Sequence, residues 1–198
     1  MRTVALLARR PGLRVLRDAL AGVPEIDLAA VFTHDRLPMA EGGGVRDELP
    51  EFQALCDGMG VPLIPVHGAR ARDISPLLPD GRLDLMVSLS WRFLVPPNVL
   101  SRFRHTLNLH RGALPAYAGA LPVQRAIEAN ETRVAITAHE MAAEIDAGRK
   151  IAEVWMDIAA RPPGTSAAEH AETVKVGLEP LYAPLARLSI VALRQGEG

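Results

Sequence analysis

Short apolar segments alternate with segments of helical spacing through the first half of this 198-residue chain. Apolar runs of this length are typical of strands that are buried on both faces of a parallel sheet. Helices between successive strands then cover those faces. The alternation therefore predicts an α/β fold with a mostly parallel sheet and helices on both of its faces. We place strands at residues 3–8, 26–32, 62–66, 83–88 and 106–109, helices at 13–21, 50–59 and 97–102, a helical turn at 74–78 and a loop at 37–45.

The second half of the chain is less regular. Apolar segments at residues 134–141 and 151–158 flank a turn at Asp146-Ala147-Gly148, which predicts an antiparallel pair of strands at one end of the sheet. Helices are predicted at residues 121–129 and 166–193. Pro180 and Pro184 are expected to break or kink the final helix, because proline lacks the amide hydrogen that a helix interior needs.

The composition of the chain limits the classes of function that it can have. The length suits a single domain over residues 1–198, and 48% hydrophobic with 23% charged residues is ordinary for a globular protein. A net charge of −1 argues against broad binding to nucleic acid or membrane surfaces. The single cysteine, Cys56, cannot form an internal disulfide, and the apolar run at residues 4–8 is too short for a secretory signal. With no apolar segment of membrane-spanning length and no metal-ligand cluster in the sequence, we expect a cytoplasmic protein without bound metal.

Three polar side chains could carry chemistry. Asn108 and His110 lie two residues apart at the end of a predicted strand, so both project from the same face. Ligands of open α/β sheets bind at the carboxyl ends of strands, which suits this position. Together with Asp146, they offer an amide, an imidazole and a carboxylate that can stabilise an oxyanion and remove a proton from an attacking amine. The alternatives are a structural histidine and a turn aspartate that binds nearby backbone amides.

Four motifs in sequential order resemble a known family. They are Asn108-Leu109-His110, Leu114-Pro115-Ala116-Tyr117-Ala118-Gly119, Gly119-Ala120-Leu121-Pro122-Val123-Gln124-Arg125-Ala126 and Asp146-Ala147-Gly148. Through these four motifs, the chain resembles the formyltransferases that use 10-formyltetrahydrofolate. The acceptors of that family are glycinamide ribonucleotide, methionyl-tRNA and amino sugars. The resemblance implies a Rossmann-like formyltransferase fold. It also implies that Asn108 and protonated His110 stabilise the oxyanion, while Asp146 orients His110 and helps to move the proton through water.

The resemblance further implies where ligands bind. An apolar loop and the aspartate turn are expected to contact the folate ring through Trp91, Phe93, Leu94, Val95, Ile145 and Gly148. Gly148 would allow a positive φ or a close backbone approach to the pteridine. The side chains that could contact the acceptor are Arg9, Arg10, Arg111 and His139. Simpler alternatives are core packing for Trp91, Phe93 and Leu94, a solvated basic loop for Arg9 and Arg10, and a core or surface histidine for His139.

The chain departs from the family pattern on the acceptor side. Arg111-Gly112-Ala113 follows the histidine where the family has Pro or Gly, Ser, Leu, and Arg149-Lys150 follows the aspartate turn. Arg9-Arg10-Pro11 replaces the loop rich in glycine and serine that binds phosphate, so glycinamide ribonucleotide is expected to be a poor substrate.

These features predict a folate-dependent N-formyltransferase that acts on a small-molecule amine, with no nucleic acid or membrane partner and with a homodimer left open. One alternative is a formyltetrahydrofolate hydrolase, in which water is the acceptor. The other is a catalytically silent ligand-binding or assembly protein of the same fold.

Overall fold

The computed structural model describes residues 1–196. Its strands are β1 (Arg2–Leu7), β2 (Asp27–His34), β3 (Leu63–Val66), β4 (Leu83–Leu89), β5 (Phe103–His110), β6 (Arg133–Glu140) and β7 (Lys150–Asp157). Its helices are α1 (Arg9–Val15), α2 (Leu49–Met59), α3 (Gly68–Arg72), α4 (Pro97–Leu100), α5 (Pro122–Glu128), α6 (Ala167–Leu178) and α7 (Tyr182–Gln195). Hydrogen-bonded strands follow the order β3-β2-β1-β4-β5-β6-β7. Backbone contacts divide the chain into two compact units, Met1–Leu107 and Asn108–Gly198, a division that length alone did not indicate.

The first unit is built on parallel strands. β1 pairs in parallel with both β2 and β4, and β2 pairs in parallel with β3. Every residue of β1 after Arg2 is buried, and β4 is buried except at Asp84. Burial on both faces is the property that the apolar runs indicated. The predicted α/β fold with a mostly parallel sheet is therefore confirmed.

The first helix begins earlier than its apolar spacing suggested. α1 starts at Arg9, directly after β1, whereas the sequence placed the helix start at residue 13. Pro11 lies in the first turn of the helix. Amide hydrogens of that turn have no acceptor within the helix, so proline removes no helical hydrogen bond there. A Cβ on Gly12 would lie 3.2 Å from Leu7, so this glycine lets the helix start close against the end of β1. The helix then continues as a π-helical turn over Leu16–Leu20.

The second unit contains the predicted antiparallel pair. β6 and β7 run antiparallel with Ile136 opposite Val154, which confirms that expectation. The register shifts between Ala138 and His139. A bulge of this kind re-aims the side chains at the end of a strand, and His139 is one of the residues of the candidate site.

The final helix is interrupted once. α6 begins with a capping box in which the Ser166 hydroxyl accepts the Glu169 amide hydrogen and the Glu169 carboxylate accepts that of Ser166. The 3-10 turn Glu179–Leu181 separates α6 from α7, and Pro180 lies in it as predicted. Pro184 lies in the first turn of α7, where proline is tolerated, so the prediction of a break there is wrong.

The helical stretch Ala167–Gln195 is long and apolar enough to cross a membrane by composition, which the sequence-based expectation missed. The side chains of Leu178, Tyr182, Leu185 and Ile190 are nevertheless buried in the protein. A stripe of buried apolar residues at this spacing is typical of a helix that packs on a protein core.

Candidate active site

His110 lies at the end of β5 with both ring nitrogens in contact with oxygen atoms. Nδ1 is 3.1 Å from Oδ2 of Asp146, and Nε2 is 2.8 Å from the backbone oxygen of Tyr117. The structure therefore brings together His110 and Asp146, which are far apart in the sequence. A neutral imidazole has only one N–H, so only the protonated ring can donate to both oxygens at once.

Burial opposes that protonation. The pKa of His110 lies below its ordinary value of 6.5, because removal from water disfavours the charged ring more than the Tyr117 carbonyl and the Asp146 carboxylate favour it. His139 and Arg111 lower the pKa further. The role of protonated His110 as an oxyanion donor stays a prediction, because the two oxygen contacts favour the charged ring while burial opposes it.

Asp146 is held in the turn by three contacts. It has a left-handed backbone with φ of 52°, and Oδ2 accepts the amide hydrogen of Gly119 at 2.9 Å in addition to its contact with His110. Its other oxygen, Oδ1, lies 3.4 Å from Nε2 of His139. Burial raises the pKa of Asp146, but its contacts with His139 and Gly119 and the neighbouring His110 outweigh burial and lower the pKa overall. The carboxylate is therefore ionised at neutral pH and can accept a proton.

His139 connects the other two polar groups. It is 2% exposed, and its Nδ1 lies 2.8 Å from the backbone oxygen of Glu140. Its Nε2 lies 3.1 Å from Nδ2 of Asn108 and 3.4 Å from Oδ1 of Asp146. The sequence suggested that His139 lines an acceptor pocket. The structure places it beside Asn108 and Asp146, and its expected contact with the acceptor stays a prediction.

Gly148 is required for a reason that the sequence did not reveal. A Cβ at this position would lie 1.7 Å from the backbone oxygen of Glu140. Its φ lies outside the left-handed region, so the expectation of a positive φ is wrong. The close approach is to the end of β6, and it holds the turn that carries Asp146 against that strand. Ile145, in the same turn, is 56% exposed.

Two residues that the sequence reasoning missed support the loop after His110. The buried Thr137 hydroxyl lies 2.7 Å from the backbone oxygen of Gly112 and accepts the amide hydrogen of Leu114 at 3.3 Å. A Cβ on Gly112 would lie 2.9 Å from Nε2 of His110, so only glycine leaves room for the ring. Arg111, an expected acceptor contact, instead donates from Nε to the hydroxyl of the buried Tyr182 at 2.8 Å.

The expected ligand residues of the first unit have mixed environments. Trp91 and Phe93 are half-buried, Leu94 is 60% exposed and Val95 is buried at 6%. Val95 therefore packs in the core, whereas Leu94, for which core packing was the alternative, presents an apolar surface to solvent.

The two arginines after β1 also differ from each other. Arg9 forms an ion pair with Glu41 at 2.6 Å, and Arg10 is exposed. No group of three or more His, Cys, Asp or Glu side chains that could hold a metal occurs within residues 1–196.

Comparison of the sequence with known proteins gives consistent matches. A model of the family described as "Formyl transferase" matches residues 57–174. A methionyl-tRNA formyltransferase of Pseudomonas paraeruginosa is 30% identical over 193 residues, which are 90% of this chain and 61% of that protein. A methionyl-tRNA formyltransferase of Burkholderia pseudomallei is 31% identical over 185 residues, which are 82% of this chain and 55% of that protein. The chain thus spans less than two thirds of the length of these relatives.

Solved structures with the same fold have low sequence identity. A phosphoribosylglycinamide formyltransferase from Anaplasma phagocytophilum superposes with a TM-score of 0.69 at 16% identity, over 98% of this chain and 88% of that chain. A formyltetrahydrofolate deformylase from Pseudomonas syringae gives a TM-score of 0.67 at 20% identity, over 96% and 59% of the two chains. A sugar 3N-formyl transferase gives a TM-score of 0.61 at 14% identity, over 97% and 64%. At these identities the likeness concerns the fold.

Proposed function

The chain belongs to the formyl transferase family, and we propose from this premise that it transfers a formyl group from 10-formyltetrahydrofolate to a primary amine of a small metabolite in the cytoplasm. The observation that carries the proposal is the contact between the ionised Asp146 and His110 at 3.1 Å, with Asn108 joined to Asp146 through His139. An ionised base, an imidazole and an amide donor are the groups that acyl transfer to an amine requires.

The residues present fit the proposed formyl donor. Trp91 and Phe93 offer half-buried aromatic rings, and Leu94 and Ile145 are exposed apolar side chains. Apolar and aromatic side chains are what a flat heterocycle needs from its binding site. The loop residues Trp91, Phe93 and Leu94 would hold the folate ring, and the folate supplies the formyl carbon that the amine attacks.

The polar residues have distinct roles in this proposal. Asn108 uses one Nδ2 hydrogen toward His139 and has a second one for the negative charge that develops on the formyl oxygen. Asp146 accepts the proton that the amine loses as the new C–N bond forms, directly or through a water molecule. That proton then passes to the leaving nitrogen as its bond to the formyl carbon breaks. His110 holds the Asp146 carboxylate in place through Nδ1.

The proposed acceptor is a small amine and not a tRNA. The relatives compared above are named methionyl-tRNA formyltransferases. The net charge of this chain, −1, gives no general attraction for a polyanion, which favours a small amine over a tRNA.

The test is an amine screen with 10-formyltetrahydrofolate, in which release of tetrahydrofolate is followed. We expect turnover with a small amine and little with methionyl-tRNA. Glycinamide ribonucleotide should be poor, and kcat/KM at or above roughly 10⁴ M⁻¹s⁻¹ with it would identify a purine-pathway enzyme instead. Formate release without any amine would identify a hydrolase. If no reaction occurs and millimolar 5-formyltetrahydrofolate does not bind in calorimetry, the folate assignment is wrong.

Substitution at Asp146 tests the assigned base. D146N retains the size of the side chain but loses its charge, so kcat should fall by about 10²–10⁴-fold. D157N, at the exposed end of β7, is the matched control and should retain wild-type kcat. Equal kcat values for D146N and D157N would remove Asp146 from the mechanism.

A further inference from the structure

His34, the last residue of β2, is buried at 2% exposure and packs against the 91–95 loop of the same unit. Its ring stacks on Trp91 with the centroids 4.1 Å apart and an interplanar angle of 24°. It also meets Phe93 edge to face, with the centroids 5.8 Å apart. One buried ring thus contacts both aromatic side chains of the loop.

A hydrogen bond from the loop backbone adds to these ring contacts. Nε2 of His34 lies 3.1 Å from the backbone nitrogen of Arg92 and accepts its hydrogen. An acceptor nitrogen carries no proton, so the ring is neutral. Burial, with the charges of Arg92 and Arg46, lowers the pKa of His34 to about 4, against the Val66 carbonyl and the Asp35 carboxylate. The ring therefore stays an acceptor through the whole neutral range.

The shape of the 91–95 loop depends on individual contacts rather than on a helix or strand. The loop follows Ser90, which has a left-handed φ of 60°. Its remaining contacts within the unit include two at exposed arginines. Arg92 donates from its side chain to the backbone oxygen of Arg36 at 2.9 Å, and the guanidinium of Arg72 lies 4.6 Å from the Phe93 ring centroid.

We propose that His34 is a positioning residue, which fixes the backbone at Arg92 and the aromatic faces of Trp91 and Phe93 for the folate ring. The proposal rests on the proposed function, which assigns the 91–95 loop to the cofactor. His34 does not touch the reacting atoms. It acts by keeping the loop in one conformation before the ligand arrives, which lowers the cost of ordering on binding.

Three substitutions separate the two contributions of the ring. H34F keeps an aromatic face for Trp91 but has no acceptor for the Arg92 amide. H34Q keeps an acceptor oxygen near the position of Nε2 but removes the aromatic face. H34L removes both. H67Q replaces another histidine at a strand end, one that is exposed and makes no ring contact with the loop, and serves as the matched control.

The first measurement is hydrogen exchange at the Arg92 amide, followed by NMR. Loss of the acceptor in H34F and H34L should speed this exchange at least about tenfold, while H34Q and H67Q keep the wild-type rate within about threefold. The wild-type protein supplies a further test that needs no substitution, because the Arg92 amide shift should titrate with a midpoint at about pH 4. Unchanged exchange in H34F and H34L, or no titration in the wild type, overturns the proposal.

The second measurement is binding of 5-formyltetrahydrofolate by calorimetry, together with KM and kcat for 10-formyltetrahydrofolate. H34L should weaken binding and raise KM by about tenfold while kcat stays within about threefold, since the polar residues are untouched. H34F and H34Q should lie between H34L and the wild type. Faster Arg92 exchange with unchanged folate affinity overturns the link to the cofactor. If the wild type itself binds no folate, the proposed function fails, and the exchange experiment still decides whether His34 positions the loop.

Discussion

Replacement of Gly148 by alanine tests the packing of the turn that carries Asp146. The added Cβ would lie 1.7 Å from the Glu140 oxygen and 2.7 Å from its carbonyl carbon. Because real Cβ contacts essentially never fall below 3.0 Å, the turn and the end of β6 must separate by about 1.3 Å. Both contacting groups are backbone, so no side-chain rotation can relieve the overlap.

The separation should be measurable in both stability and activity. Overpacking against backbone predicts a loss of about 2–3 kcal/mol in the free energy of unfolding. For a chain of this length, that loss lowers Tm by roughly 4–12 °C. Asp146 lies two residues from the substitution, and a displacement of about 1 Å at its carboxylate should lower kcat by about 100-fold.

Urea unfolding and steady-state kinetics of G148A would check both values. G44A is the control, because Gly44 has an ordinary φ and no atom within 4 Å of an added Cβ. It should change stability by no more than about 0.5 kcal/mol. If G148A and G44A unfold at the same urea concentration, Gly148 does not pack as described, and its argued role in holding Asp146 is refuted.

Three further predictions concern titratable groups. The pKa of Asp146 is lowered from 3.8 in the folded protein, so its ionised form stabilises the fold at neutral pH and this contribution disappears as the pH falls through the folded pKa. Urea stabilities of the wild type and D146N should therefore converge as the pH falls from about 5 to below the folded pKa, and a constant difference would contradict this. Protonation of His34 at about pH 4 should alter the emission of the stacked Trp91, measured in a W155F background, and a flat titration would count against the stacking. Burial raises the pKa of Cys56 to about 11, so iodoacetamide should label this thiol at pH 8 only after urea unfolding, and rapid labelling of the native protein would contradict its burial.

The sequence specified the central part of the fold well. Apolar runs of strand length located the strands β1, β2 and β4 to within two residues at each end, because a strand that is largely buried on both faces carries mainly apolar side chains. The start of α1 was missed, since Arg9-Arg10-Pro11 shows no apolar spacing and the glycine that permits the early start acts through a tertiary contact. Helical signals report the amphipathic part of a helix and not its first turn.

The candidate site was only partly predictable. The order of the four family-like motifs grouped Asn108, His110 and Asp146, whereas the local sequence around Asp146 indicated only a turn. Spacing did not reveal that His139 joins Asn108 to Asp146, since this depends on the bulge between Ala138 and His139. It also did not reveal the burial that lowers the pKa of His110. Protonation of a histidine depends on how deeply its ring is buried, and the order of residues does not state that burial directly.

His139 lies between the Asn108 amide and the Asp146 carboxylate, so the position of the hydrogen on its ring affects which way the Asn108 amide is turned. While Nε2 is unprotonated, Asn108 must turn its Nδ2 toward the ring, at the observed 3.1 Å, and its oxygen away. A proton on Nε2 would favour the opposite rotamer, in which the Asn108 oxygen faces the ring, or a shift of the bond to Asp146 at 3.4 Å. A rotation of about 180° in one side chain would then exchange the donor and the acceptor that this part of the protein presents to a ligand. The polar atom that Asn108 turns away from His139 is therefore tied to which His139 ring nitrogen carries the hydrogen.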